Sequence, residues 1–230
     1  NSLLEPAELE KERHVVIEEL AMSEDSPAEL VGMLIDEMLW PDHPLGRDVG
    51  GSKESVSRLT REDLTRYIDH HYVPNNTVLA VAGNVNHEHV MESVSKLLGD
   101  WRPGQESSWQ PATVRGERPE VRLRAKKTEQ AHLCYAIPAL SSMDPDRFAL
   151  DVLNTVLGDG MSSRLFLQIR EQLGLAYDVH SYVCRFMDDG AVIVGAGVHP
   201  KQLEPTIHAI RQELRRIRER VPEQIGRAHV

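Results

Sequence analysis

Apolar residues recur three and four positions apart along most of this chain, and short alternating stretches interrupt them. The first periodic run predicts a helix from about Ala7 to Met22. A second begins at Ser26-Pro27-Ala28-Glu29, where the Ser hydroxyl can accept orphan N–H groups and Pro suits the first turn, and it runs to Trp40. Pro41 to Gly51 reads as a loop, Thr60 opens a helix to Tyr72, Val78 to Ala82 reads as a short buried strand, and His87 to Leu98 is helical. Beyond a Pro-, Gly-, Ser- and Gln-rich stretch, Val121-Leu123-Ala125 and Leu133-Tyr135-Ile137 alternate as paired strands and Asp146 to Leu157 forms a helix. Leu165, Phe166, Ile169 and Leu173 mark a further amphipathic helix with Gly174 as its stop. Strands follow at Val179 to Phe186 and Ala191 to Val198, and Leu203, Ile207, Ile210, Leu214 and Ile217 stripe a last helix. Helices mixed with antiparallel strands make the predicted class α+β.

The helix-to-strand corner at Gly174 carries the first candidate chemistry. Arg170 precedes it and Tyr177 follows it, offering a fork of N–H donors and a phenol suited to gripping a peptide carbonyl. The second candidate lies in the first helix, where Glu12 and Glu19 are two turns apart and so share a face about 10 Å apart along the axis. A metal ion takes a carboxylate oxygen at about 2 Å, so one of the pair could ligate and the other steady it. Glu18 points about 100° away around the helix and fits neither role.

Other motifs carry less. Gly195-Ala196-Gly197 follows a strand, but Pro200 stands where a dinucleotide-binding loop needs its third glycine. Gly160-Met161-Ser162-Ser163-Arg164 lacks the closing glycine of a nucleophile elbow, so Ser162 reads as a helix cap. His87 and His89 point apart on an early helical turn and read as surface residues.

The run from Ser162 to Tyr177, with its Arg-x₆-Tyr spacing, and the Glu12/Glu19 helix together resemble the pitrilysin and insulin-degrading zinc peptidases. The likeness is greatest to bacterial relatives of the mitochondrial processing peptidase β-subunit. It covers about Leu9 to Gln224 and includes the His43-Pro44-Leu45-Gly46 bend. The resemblance implies a helix layer on an antiparallel sheet in each of two related domains. Residues 1–102 would be the C-terminal part of the zinc-binding domain, 103–119 a linker, and 120–230 the N-terminal part of a second, substrate-binding domain. It also implies a zinc endopeptidase (Zn2+ as cofactor) that encloses a peptide or unfolded-protein segment in a chamber as an extended strand. Carried over by position, Glu19 matches the third zinc ligand, Glu12 a supporting carboxylate, and Arg170 and Tyr177 the substrate-binding pair. The implied assembly is a homodimer, with a heterodimer of related subunits as the variant, and the implied compartment is the bacterial cytoplasm.

One departure bears on activity. None of the eleven histidines, among them His14, His43, His70, His71, His87 and His89, opens the inverted H-x-x-E-H motif that supplies the family's two His ligands and base. The expectation is therefore a fragment that starts inside a domain, inert by itself and lacking zinc, whose parent is an active peptidase. A non-catalytic partner subunit of the same fold is the alternative. At the far end, Ile225 to Val230 reads as a translated sequencing adapter and is set aside from fold reasoning as non-native.

Composition narrows the remaining classes. With 40% hydrophobic and 27% charged residues the chain is ordinary for a globular protein, and no apolar run approaches a membrane span. A formal net charge of −10 argues against nucleic acid as a partner. Eleven carboxylates stand against Lys11 and Arg13 in residues 1–40, which a solvated helix face accounts for. Cys134 and Cys184 make no disulfide framework and read as buried thiols of a reducing compartment.

Overall fold

The computed structural model describes residues 3–105, 108–112 and 119–219. Much of the expected linker and the whole of residues 225–230 lie outside them. Two compact units emerge, Asn1–Glu18 with Gly50–Gln110, and Glu19–Val49 with Pro111–Val230.

The first unit is helical. Helix α1 spans Pro6–Asp25, and in its first turns Arg13 donates to the carbonyls of Val56 and Leu59. Those acceptors lie in and just after α3 (Lys53–Arg58). Both α3 and α4 (Arg61–His71) begin at capping boxes, Ser52 with Ser55 and Thr60 with Asp63, as the Thr60 signal predicts. Helix α5 runs His87–Leu98 from an Asn86 cap. The expected strand at Val78–Ala82 is absent. Val78 is 95% exposed and no strand among the described residues pairs with it, so the segment has neither a ladder nor a buried face.

The second unit is built on a three-stranded antiparallel sheet of order β1-β3-β2, with β1 at Ala131–Pro138, β2 at Ala176–Arg185 and β3 at Gly190–Val198. The central strand reads Gly-Ala-Val-Ile-Val-Gly-Ala-Gly-Val and is buried throughout, the continuous apolar pattern of a strand covered on both faces. Val192, Val194, Ala196 and Val198 join Leu165, Ile169, Ala209, Ile210 and Ile217 in one cluster. That face is covered by α6 (Arg147–Gly158), by the segment before β2, and by α7 (Leu203–Glu219). Ala191 and Ile193 face the other way, against Ile35, Leu39 and Trp40 of α2 (Pro27–Leu39) and its end. Trp40 closes this side with an indole N–H to Asp189 Oδ2 at 2.7 Å and an edge-on contact to Phe186.

The structure pairs β1 differently from the expectation. Leu133, Tyr135 and Ile137 hydrogen-bond across to β3, whereas Val121 and Leu123, 90% and 87% exposed, form no strand. Alternation alone does not choose a partner, and β3 offers a ladder that buries both neighbours.

Candidate functional site

Arg170 and Tyr177 are brought together by two local irregularities. The segment Phe166–Gln172 is a π-helix where the apolar spacing predicts a plain α-helix. Its wider turn ends when Leu173 donates to the Gln168 carbonyl at 3.1 Å. Gly174 then takes φ +59°, and Leu175 donates back to the Ile169 carbonyl at 2.9 Å. That closure is the expected glycine stop in a left-handed conformation open to a residue without Cβ. On the strand side, Ala176 pairs with Val198 and Asp178 with Gly197, leaving Tyr177 as the extra residue of a β-bulge. Single π-turns and bulges re-aim side chains and occur often at functional sites.

The result is a stack. The Arg170 guanidinium carbon lies 4.5 Å from the Tyr177 ring centroid and 4.7 Å from that of Phe166. Its Nε is 3.7 Å from Glu171 Oε1, and among the described residues its terminal nitrogens meet no hydrogen-bond acceptor. Tyr177 is 77% exposed. The pair therefore presents unused N–H donors and a phenol at the surface, the chemistry for holding a carbonyl and stabilising charge that develops on it.

Beneath the stack the segment is anchored by a group the sequence reading missed. Glu213 on α7, its side chain only 3% exposed, accepts from Arg164 at 3.0 Å and from Arg216 at 2.6 Å. Arg164 opens the helical run that carries Arg170, so this carboxylate fixes the run to α7. Leu165 and Ile169, both fully buried, seat its underside in the core. No local spacing advertises the Arg164–Glu213 pair. The Phe166–Arg170 contact, in contrast, has a readable i,i+4 spacing. Ser162 is exposed and its hydroxyl caps nothing among the described residues, a correction to the capping expectation, because the helical turn starts later, at Arg164.

Glu12 and Glu19 both lie on α1 and both are exposed, as is Glu18. Glu19 makes no hydrogen bond or ion pair with Arg170 or Tyr177. Among the described residues no three His, Cys, Asp or Glu side chains converge as a metal cage. A zinc ion needs three or four donors, and the described residues assemble no such set. His43, in the Pro44–Gly46 turn, instead holds its own loop by accepting the Leu45 N–H at 3.2 Å. No helix among the described residues is long and apolar enough to cross a membrane.

Comparison with known proteins places the chain in a family. The model described as the peptidase M16 inactive domain matches residues 58–226. The chain belongs to the M16 peptidase family. The resemblance drawn from the Arg170/Tyr177 and Glu12/Glu19 motifs is thus borne out at the level of the family, as is an α+β fold of M16 type. An uncharacterized zinc protease of Streptomyces coelicolor is 39% identical over 235 residues, covering 99% of this chain and 51% of the relative. Among solved structures, a protease from Helicobacter pylori matches with a TM-score of 0.85 at 21% identity, over 95% of this chain and 55% of that one. A chain of complex III2 from Candida albicans matches with a TM-score of 0.80 at 21% identity, over 93% and 52%. At those identities the two structures carry the fold alone. The chain spans about half the length of the relatives it matches.

Proposed function

We propose that this M16 chain is the substrate-gripping half of a zinc-dependent endopeptidase that cleaves peptides or unfolded protein segments bound as an extended strand in an enclosed chamber. The observation that carries the reading is the Arg170–Tyr177 stack, a donor pair displayed at the surface on two re-aimed turns. Arg170 would donate to the peptide carbonyl through its terminal nitrogens. Tyr177 would add its O–H, so that charge growing on the carbonyl oxygen meets donors already in place. Zinc would be held in the whole protein, with Glu19 as one ligand from this chain and Glu12 supporting it. The zinc-protease names of relatives support that reading. Residues 1–102 would then belong to the zinc-bearing domain and 120–230 to the second, in a homodimer of the bacterial cytoplasm.

The test is peptide hydrolysis by the whole protein carrying Arg170→Lys or Tyr177→Phe. Loss of the guanidinium fork at retained charge is expected to lower turnover roughly 10- to 100-fold at unchanged zinc content. Unchanged turnover in both variants would make the two residues structural.

The second reading is a non-catalytic partner subunit of the same fold. It is favoured by the family model's description as an inactive domain. Zinc content and hydrolysis by the whole protein, purified alone, decide between the two.

A further inference from the structure

We propose that Phe166 is a positioning residue for Arg170, the third member of the stack, which holds the guanidinium in its substrate-ready pose before a peptide arrives. The inference rests on the substrate-gripping role of Arg170 set out above and adds to it the group that prepares that side chain. Phe166 and Arg170 stand at the two ends of one turn of the π-segment, and the guanidinium carbon lies 4.7 Å from the Phe166 ring centroid, nearly as close as the 4.5 Å to Tyr177.

Arginine is among the side chains with most rotamer freedom to lose, and each such chain immobilised on binding weakens association. Two aromatic contacts spend that freedom in advance. They hold the cation through the ring quadrupoles, which leaves its terminal N–H groups for a conventional acceptor. Glu171, at 3.7 Å from Nε, is the carboxylate that competes for the same cation. Phe166 is half-buried, and its ring meets the guanidinium from the helical side of the stack. Tyr177, by contrast, is mostly exposed and depends on the bulge for its place.

The experiment measures binding of fluorescein-labelled casein, a protein without a stable fold, to the whole protein by anisotropy, with EDTA present to strip zinc and stop cleavage and with thermal melts alongside. The variants are Phe166→Leu, Phe166→Tyr, Arg170→Ala and the double variant Phe166→Leu with Arg170→Ala. Phe166→Leu is expected to weaken binding about three- to tenfold, and Phe166→Tyr, which restores a ring, to recover most of that loss. In the Arg170→Ala background Phe166→Leu should cost nothing further, because its effect passes through the arginine. Equal weakening in both backgrounds would make Phe166 a packing residue and overturn the proposal. So would Phe166→Leu binding like the wild type while Arg170→Ala is impaired, an outcome that leaves the role of Arg170 standing. Arg170→Ala binding as tightly as the wild type would overturn the gripping role itself and this inference with it.

Discussion

Ser181 donates its hydroxyl proton to Asn154 Oδ1 at 2.7 Å, and Asn154 returns an N–H to the Ser181 carbonyl at 3.2 Å. Both residues are buried, so this closed pair is a buried polar pin between α6 and β2. One turn along the helix Gly158 leaves room for it, since a Cβ there would lie 2.6 Å from the Ser181 backbone nitrogen and closer still to its Oγ. Asn154→Ala leaves a buried hydroxyl and carbonyl without partners and is expected to cost roughly 1–3 kcal/mol. Gly158→Ala overpacks the same contact against backbone and is expected to cost about as much. Urea denaturation of the chain checks both.

Glu213 sets the second prediction. Replacing it with Gln keeps its shape but removes the charge that answers Arg164 and Arg216. Both arginines retain partial solvent, which softens the loss, and roughly 1–3 kcal/mol of destabilisation is expected. Hydrogen exchange should then rise first in residues 164–172, the run that Arg164 anchors.

A third expectation concerns alkaline pH. Burial, with a smaller push from the Asp36 carboxylate, raises the Cys134 thiol from 9.0 to about 11. As pH rises the unfolded chain loses this proton first, so the folded state keeps its full advantage below pH 9 and loses it between pH 9 and about 11. The slope from one proton is at most about 1.4 kcal/mol per pH unit. Tyr182 acts with the same sign at higher pH, its phenol raised to about 12, first by burial and then by Cys134, Asp36 and Cys184. Denaturation midpoints of wild type and Cys134→Ala across this range should diverge, with the variant the flatter of the two.

The zinc assignment is tested in the whole protein by metal analysis of three variants. Glu19→Gln is expected to abolish zinc retention, Glu12→Gln to weaken it, and Glu18→Gln to leave it near the wild-type level, in keeping with a ligand, its support and a carboxylate turned about 100° away. Zinc lost from Glu18→Gln but kept by Glu19→Gln would reverse the positional assignment.

What the sequence made legible divides along the range of the interactions. Helix limits set by local caps, at Thr60, Asn86 and Ser26, lie within a residue or two of expectation, because cap and helix are neighbours in the chain. The Gly174 stop was readable for the same reason. The Val121–Ala125 and Val78–Ala82 strands failed because a strand exists only through a partner that alternation does not name. The Arg170–Tyr177 spacing announced a corner, but neither the π-turn nor the bulge that joins the pair has a distinct residue signature. Glu213 was invisible because its partner Arg164 lies 49 residues away.

The strand order gives this unit a folding sequence. β2 and β3 are joined by a short turn in which Phe186 donates to Asp189 at 2.8 Å, so their ladder closes locally and early. β1 must reach the same central strand across roughly fifty intervening residues, at a larger entropic cost. Until it docks, one whole edge of the most apolar strand in the unit is open to pairing with another chain. The interval between hairpin closure and β1 arrival is therefore when this protein is most prone to aggregate, and refolding yield should fall steeply with concentration during it.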